Sequence, residues 1–348
     1  MSKRILMFGW EFPPNNQGGL GTACEGLVKG LTAQGKEVIL VLPEKQESSI
    51  PGLKIVSPHL KRISVNSLLQ AYHTEESYSS SYKRNKGSLY GNNLFSEVER
   101  YAQAIEEVVR EEEFDLIHAH DWLTYKAGLK AKQLSGKPLI VHVHATEFDR
   151  TGGNGINQFV YIIEKEGMEK ADLVITVSNF TKNKVIEHYG IPAEKIRVVH
   201  NAVAFNDNQF RGEFNTFKRE PLVLFLGRIT LQKGPDYFLD TAKRILELRK
   251  NINFVMAGRG DMEEQMIEQA AALGLSDKFL FAGFLRGAEI DRMYQMADVY
   301  VMPSVSEPFG ITPLEAMRND VPVIISKQSG VSEVITHCLK VDFWDVDE

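Results

Sequence analysis

In the second half of the chain, two cationic residues and two glutamates have the residue types and spacing expected of a site that binds a phosphate and a sugar. Arg228 and Lys233 stand in GRITLQKGPDYF, directly after an apolar run, and Pro235 suits the first turn of a following helix. Glu307 and Glu315 stand in EPFGITPLE, directly after another apolar run. Because paired cations in a strand-to-helix loop can neutralise a diphosphate, this half of the chain is predicted to bind an anion.

The segment that contains Glu315 also predicts a helix N-terminus. Thr312, Pro313 and Glu315 fit a capping box, with threonine at the N-cap, proline at N1 and glutamate at N3. The free backbone N–H groups there suit a phosphate or sugar oxygens. A cap alone would explain Glu315, whereas Glu307 lies beside a PFG stretch that is poor helix material, which favours a functional role for Glu307.

Glycines follow two further apolar runs. Gly18, Gly19 and Gly21 stand in NNQGGLGTA, at the start of a predicted helix, and Gly258 stands in MAGRGD. Glycine lets the backbone approach a bulky anion closely. The spacing differs from the dinucleotide pattern G-x-G-x-x-G, so a flexible loop and a tight turn remain open as readings of these segments.

Four histidines form two H-x-H pairs in the first half. His118 and His120 precede Asp121 in HAHDW, and His142 and His144 stand in VHVHATEFD. A period of two places the members of each pair on one face of a strand. Such pairs could be metal ligands, as in a metal-dependent hydrolase, or hydrogen-bonded structural residues.

The elements that must position these residues are short apolar runs alternating with amphipathic helical patterns. Most of the runs are apolar throughout, which is typical of parallel strands buried on both faces. Two successive series of strands and helices predict two doubly wound α/β domains, which we place at 1–204 and 205–348. The predicted strands are 3–9, 37–42, 114–118, 138–143, 172–177, 196–199, 222–227, 252–257, 278–281, 298–302, 321–325 and 338–341.

Two stretches lack periodicity. The polar segment 203–220 separates the two series, and 57–97 is rich in Ser, Tyr and Asn. The second stretch is read either as a long surface loop or as a loop that helps to bind an acceptor.

Composition narrows the class of protein. The 348 residues are 43% hydrophobic and 25% charged, which is ordinary for globular domains, and the net charge of −6 argues against a nucleic-acid partner. Cys24 and Cys338 lie in opposite halves and suggest no disulfide framework. No run approaches the roughly 18 apolar residues of a membrane span. We therefore expect a cytoplasmic protein without a membrane span.

Taken in order, these segments resemble the retaining GT-B glycosyltransferases, in particular the group of glycogen and starch synthases, over nearly the whole chain. QGGLG is similar to the glycine loop at the donor phosphates, HAHDW to a strand-end motif, and VHVHATEFD to the segment with the active-site histidine. GRITLQKG is similar to the Arg/Lys phosphate clamp, and EPFGITPLE matches the E-x7-E signature. The resemblance implies a GT-B fold, with two Rossmann-like domains facing a cleft.

Roles for single residues follow from the resemblance. The implied catalytic residues are His144, Arg228, Lys233 and Glu307. The implied donor-binding residues are Gly18, Gly19, Asp121, Gly258, Phe309, Gly310, Ile311, Thr312 and Glu315. In this assignment the first domain carries the acceptor side and the glycine loop, and the second domain carries the donor side. Members of the group continue into further C-terminal helices, which this chain is expected to lack.

The implied reaction is retaining transfer of a hexosyl unit, glucosyl in the first instance, from a UDP- or ADP-sugar to an oligo- or polysaccharide acceptor, as in α-glucan extension. No cofactor and no metal are expected. Retaining glycosidases need two carboxylates about 5 Å apart. Because no second carboxylate is evident beside Glu307, transfer assisted by the leaving phosphate is favoured.

The sequence differs from bacterial glycogen synthases at two positions, so other functions remain open. The glycine loop lacks the lysine that precedes it in many of those enzymes, and Phe309 stands where they often have cysteine. The alternatives are a glycosyltransferase with another glycan or lipid acceptor, a nucleotide-sugar epimerase on the same fold and, more distantly, the metal-dependent hydrolase.

Overall fold

The computed structural model describes residues 3–14, 19–58, 94–153, 155–204 and 220–348. Its contacts divide the chain into two compact units, Met1–Glu147 with Gly155–Asn201, and Phe148–Asn154 with Ala202–Glu348. Gly18 and most of the two aperiodic stretches lie outside the described residues. The end of the stretch 57–97, residues 94–97, is helical, which corrects the prediction that it is irregular.

The first unit is built on a seven-stranded parallel sheet with the order β3-β2-β1-β4-β5-β6-β7. The strands are β1 Arg4–Phe8, β2 Glu37–Val41, β3 Leu53–Val56, β4 Leu116–His120, β5 Leu139–Val143, β6 Leu173–Thr176 and β7 Ile196–Val198. The helices of this unit are α1 Gly19–Ala33, α2 Leu94–Glu111, α3 Trp122–Ser135, α5 Gln158–Lys170 and α6 Asn179–Tyr189. The short helix α4, Glu147–Arg150, begins at the last residue of Met1–Glu147 and continues into the second unit.

The second unit is built on a six-stranded parallel sheet with the order β10-β9-β8-β11-β12-β13. The strands are β8 Leu222–Leu226, β9 Asn253–Ala257, β10 Phe279–Gly283, β11 Val299–Met302, β12 Val323–Ser326 and β13 Leu339–Val341. The helices are α7 Pro235–Leu248, α8 Glu263–Ala272, α9 Ala288–Met296 and α10 Thr312–Arg318. Short 3₁₀ turns cover Ala193–Lys195 in the first unit and Leu231–Lys233 and Gly330–Glu333 in the second.

The apolar character of the strands follows from this layering. Leu6, Met7 and Phe8 of β1 are completely buried, because helices cover both faces of the sheet. Every strand predicted from sequence is present, within a few residues at each end. Strand β3 was missed, because its four residues have only partly buried side chains and a short pattern.

Helix α1 shows how the sequence pattern becomes packing. Cys24 and Val28 lie buried against the sheet, in one cluster with Ile5 and Met7. Gly35 lies just beyond the end of the helix: its φ is +73° and its N–H donates to the Thr32 carbonyl at 2.9 Å. Within the described ranges, the helices fall short of the length and apolar character that crossing a bilayer requires.

Two helical glycines in the first unit are expected to respond oppositely to alanine. A Cβ on Gly128 would lie 2.9 Å from Ala119 Cβ and 3.0 Å from Leu139 Cδ1, whereas one on Gly30 meets no described atom within 4 Å. Gly128→Ala should lower the free energy of unfolding by about 1–3 kcal/mol through overpacking. Gly30→Ala should raise it by about 0.5–1 kcal/mol through helix propensity. Thermal unfolding of the two variants checks the signs, and shifts in the same direction would contradict this packing.

Candidate active site

The predicted site residues cluster where each sheet reverses its strand order. In the first sheet the order reverses between β1 and β4, and in the second between β8 and β11. Ligands of open α/β sheets bind in the crevice beyond the carboxyl ends of the strands at such a point. The segments with Gly19 and Asp121 follow β1 and β4, and the segments with Arg228 and Glu307 follow β8 and β11.

The cation-bearing loop of the second unit is a 3₁₀ turn that leads directly into α7. Lys233 ends the turn, Gly234 follows with a φ of +63°, and Pro235 opens the helix as predicted. Arg228 Nη2 donates to Gln232 Oε1 at 3.2 Å. Gln232 is buried, and its carbonyl accepts from Val305 N at 3.0 Å, which joins this loop to the one after β11.

Lys233 and Glu307 form an ion pair through Lys233 Nζ and Glu307 Oε2. Glu307 is only 6% exposed, and Ser304 Oγ donates to the same oxygen at 3.4 Å. A buried carboxylate needs such a partner, because removal from water disfavours its charge. The geometry thus brings together the residue predicted at the phosphates and the residue predicted at the sugar, while Arg228 contacts Gln232.

The predicted capping box is wrong. Helix α10 begins at Thr312, Ile311 is its N-cap, and no side chain caps it. Two tyrosines donate hydrogen bonds to these side chains instead: Tyr300 donates to Thr312 Oγ1 at 2.7 Å, and Tyr294 donates to Glu315 Oε2 at 3.2 Å. Both tyrosine rings are buried, and each hydroxyl also lies within hydrogen-bond distance of a backbone carbonyl, Leu226 O for Tyr300 at 3.3 Å and Thr312 O for Tyr294 at 3.2 Å.

Two glycines of the second unit allow backbone to come close at strand ends. Gly258 has a φ of +141°, and a Cβ there would lie 1.8 Å from the Gly227 carbonyl oxygen. Gly310 has a φ of +97°, and a Cβ there would press on Glu307 Cγ at 3.1 Å. Phe309 is buried, and its carbonyl accepts from Val331 N at 2.7 Å.

Asp121 holds the loop after β5 in the first unit. Its φ is +57°, an uncommon conformation for a residue other than glycine, and its Oδ1 accepts from His144 N at 2.7 Å and from Ala145 N at 3.3 Å. Its own N–H donates to the His142 carbonyl at 2.9 Å. Asp121 therefore positions the backbone of His144, a connection that the sequence did not indicate.

The four histidines pack together, as the two H-x-H pairs predict. Ring centroids are 4.3 Å apart within each pair, and His120 Nδ1 lies 2.9 Å from His144 Nε2. Burial lowers the pKa of His118 to about 4 and that of His144 to about 3, and it also lowers the pKa of His120 and of His142. All four imidazoles are therefore neutral at pH 7, and His144 can exchange hydrogen bonds as a neutral group.

The glycine segment of the first unit reaches the described structure at Gly19, the exposed first residue of α1. The N–H of Gly21 donates to Glu11 Oε1 at 3.1 Å, so a carboxylate of this chain contacts the helix start. Sequence reasoning missed Glu11, Gln232 and Ser304 as contributors. Their only signal was position after β1, β8 and β11, where polar residues of any kind are common.

The family follows from comparison with known proteins. The model of glycosyltransferase family 4 matches residues 17–206, and the model of glycosyl transferases group 1 matches residues 206–339. The chain belongs to the group 1 glycosyltransferases and has the GT-B fold. It is a glycosyltransferase, so the hydrolase and epimerase alternatives are not carried forward.

Individual relatives agree with this assignment. An uncharacterised glycosyltransferase of Methanocaldococcus jannaschii is 33% identical over 96% of this chain and 83% of its own length. A glycogen synthase of Mycobacterium tuberculosis is 26% identical over 95% of this chain and 80% of its own length.

Solved structures show the same fold. Sucrose-phosphate synthase of Thermosynechococcus elongatus superimposes with a TM-score of 0.79 at 20% identity, covering 99% of this chain and 87% of that one. HepE of Anabaena, solved with UDP-glucose, has a TM-score of 0.68 at 18% identity and covers 97% of this chain and 85% of its own.

The environment of Glu315 predicts a stability change that depends on pH. Burial raises the pKa of the Glu315 carboxyl above its ordinary value, against smaller opposing effects of Tyr294 and Arg318. A raised folded-state pKa means that the favourable contribution of this group is present at low pH and is lost as pH rises through that pKa. Glu315→Gln, which resembles the protonated form, should therefore gain stability relative to the parent as pH rises from about 4.5 towards 7.

Thermal unfolding midpoints across this pH range measure the effect. Glu268→Gln, at an exposed position of α8, removes the same charge and serves as the control. A midpoint for Glu315→Gln that falls below the parent at pH 7 would show that the ionised carboxylate stabilises the unliganded fold.

Proposed function

We propose that this glycosyltransferase is a retaining enzyme that moves a glucosyl unit from a UDP- or ADP-sugar to an α-glucan acceptor, as glycogen synthases do. The observation that carries the proposal is the arrangement of Arg228, Lys233 and Glu307 at the reversal point of the second sheet. Two cations and a carboxylate there complement the charges that separate when a sugar nucleotide is cleaved: additional negative charge on the diphosphate and positive charge on the sugar.

The electrostatics explain how these residues would act. Breaking the bond between the anomeric carbon and the diphosphate leaves negative charge on phosphate and positive charge on the sugar ring. Arg228 and Lys233 are preorganised to stabilise the first, and the Glu307 carboxylate can face the second. In this scheme Lys233 exchanges part of its pairing with Glu307 for the phosphate, so donor binding makes the carboxylate more available to the sugar.

Retention of configuration is proposed from the resemblance of EPFGITPLE to the E-x7-E signature of retaining glycosyltransferases. The state of Glu307 bears only on whether a covalent intermediate forms. Its carboxylate is paired with Lys233 and accepts from Ser304, which makes it a poor nucleophile. A covalent glycosyl intermediate on Glu307 is therefore disfavoured. The acceptor hydroxyl would attack on the face that the diphosphate leaves, with the departing phosphate oxygen taking the hydroxyl proton.

The donor and acceptor classes rest on similarity. Glycogen synthase is the 26% identical relative described above, and HepE was solved with UDP-glucose. We propose that donor binding needs no divalent cation, because Arg228 and Lys233 supply the positive charge that Mg²⁺ or Mn²⁺ would otherwise provide.

The direct experiment offers UDP-, ADP- and GDP-glucose in binding assays and then adds glycogen or maltooligosaccharides. The proposal expects a glucosylated product with an α-linkage by NMR, and a rate that added Mg²⁺ or Mn²⁺ does not raise. Transfer only to other glycans or to lipid would contradict the proposed acceptor class, and a β-linkage would contradict retention. A strict requirement for Mn²⁺ would show that Arg228 and Lys233 are not the only positive charges that neutralise the diphosphate.

Loss of the two cations tests the clamp. Arg228→Ala should reduce kcat by roughly 100- to 1000-fold, because one preorganised donor is worth about 3–4 kcal/mol in the transition state. Adding Lys233→Ala should reduce it further. Arg249→Ala with Lys250→Ala removes the same charge from an exposed position beyond α7 and should leave kcat unchanged. Turnover of the Arg228→Ala variant within a few-fold of the parent would refute the assignment.

We expect Glu315 to contribute to nucleotide binding and Glu307 to contribute to turnover. Glu315→Gln should weaken nucleoside diphosphate affinity by about 10- to 100-fold through loss of a charge-assisted hydrogen bond to the ribose, worth about 1.5–3 kcal/mol. Glu307→Gln should keep that affinity and lose turnover, because its carboxylate faces the sugar.

Calorimetry with UDP and ADP, together with initial rates, measures both effects. Glu268→Gln again serves as the control for loss of one charge. Normal nucleotide affinity in Glu315→Gln together with normal turnover in Glu307→Gln would refute the proposed roles of this segment.

A further inference from the structure

Three buried histidines of the first unit lie within the sheet rather than beyond it. We call His118, His120 and His142 the histidine triad. His120 and His142 are direct partners across β4 and β5, and His118 lies two residues earlier on the same face of β4. Their ring centroids are 4.3 to 5.4 Å apart. Apolar side chains fill most such positions in a parallel sheet, so three imidazoles here need an explanation.

The triad has unsatisfied polar atoms. His118, His120 and His142 are 6%, 0% and 4% exposed. Within the described residues, Nε2 of His118, Nε2 of His120 and both ring nitrogens of His142 are buried without a hydrogen-bond partner. Native proteins leave few buried polar atoms in this state, because each loses its hydration without compensation. The pattern therefore indicates a bound group that supplies the missing partner.

Neutral imidazole nitrogens suit a transition metal ion. Each triad imidazole is buried and has at least one ring nitrogen without a hydrogen-bond partner among the described residues, and a neutral imidazole has one ring nitrogen with a free lone pair. The triad offers nitrogen ligands and no carboxylate. Imidazole suits Zn²⁺, Co²⁺, Ni²⁺ and Cu²⁺, whereas Mg²⁺ and Ca²⁺ prefer oxygen.

We propose that the histidine triad binds one divalent transition metal ion, Zn²⁺ being the reference case, through one nitrogen of each histidine. The three ligand atoms lie within 4.8 Å of one another. Tetrahedral Zn²⁺ with Zn–N bonds of about 2.0–2.1 Å places its ligand nitrogens about 3.4 Å apart, so small side-chain rotations close the site. Because tetrahedral Zn²⁺ has four ligands, a water molecule would take the fourth position. The ion would take no part in the sugar transfer, and the proposal does not depend on the one made above.

A second set of possible ligands, Cys24, His120 and His144, fits less well. His120 Nδ1 and His144 Nε2 already lie at hydrogen-bond distance from each other. His120 therefore has Nε2 left for the triad, while its Nδ1 stays with His144.

Metal retention is the first test. Protein prepared without a histidine tag is stripped with a chelator, incubated with Zn²⁺, passed through gel filtration and analysed by elemental mass spectrometry. The proposal expects about one Zn²⁺ per chain, in keeping with a single three-histidine site. Zn²⁺ should also raise the thermal unfolding midpoint, because the ion binds only the folded arrangement. Wild-type protein that retains no Zn²⁺ overturns the proposal.

Variants assign the ligands. His118→Asn and His142→Asn should each retain at least tenfold less Zn²⁺, while His337→Asn, an exposed histidine of the second unit, should retain as much as the parent. Retention unchanged in His118→Asn and His142→Asn overturns the triad.

Spectroscopy of the wild-type protein tests which residues bind the metal ion even if those variants fail to fold. Co²⁺-loaded protein should show the visible bands of a tetrahedral nitrogen site and no thiolate charge-transfer band in the near ultraviolet. A thiolate band that disappears in Cys24→Ser would assign the metal to the second set instead, and absence of tetrahedral bands would overturn the site.

Discussion

The structure depends on one constraint: parallel sheets covered by helices on both faces leave little room for polar groups inside. The strands are consequently apolar along most of their length, and charged side chains collect beyond the carboxyl ends. Arg228, Lys233 and Glu307 all follow this rule, since each lies in a loop after β8 or β11. Strand order adds a second constraint, because the order reverses between β8 and β11, and ligands of open α/β sheets bind at such a point.

In the loops after β8 and β11, burial determines how the charged side chains interact. Glu307 is buried and paired with Lys233, so neither charge acts alone in the unliganded protein. Arg228 is held by the Gln232 amide, and the same Gln232 links the cation loop to the loop that carries Glu307. These contacts link Arg228, Lys233 and Glu307 in the unliganded protein.

The histidines are the exception to the apolar rule. Asp121 adopts a positive φ and fixes the His144 backbone, and His144 in turn lies beside His120 in the buried cluster. Neutral, partly unsatisfied imidazoles inside a sheet are costly unless something binds them. A group 1 glycosyltransferase could thus carry a metal centre beneath the loop that presents His144.

The sequence by itself determined the architecture and the position of the polar loops, because apolar runs and glycine or proline signals are local. Twelve of the thirteen described strands were predicted, and β3 was not, since four half-buried residues carry too weak a pattern. Tertiary structure alone decided what the side chains contact. Thr312 and Glu315 have the sequence of a capping box, yet they accept hydrogen bonds from Tyr300 and Tyr294, which the fold buries beside them. A capping interaction is worth about 1 kcal/mol, and the tyrosines that compete for these side chains belong to α9 and β11, which only the fold brings beside α10.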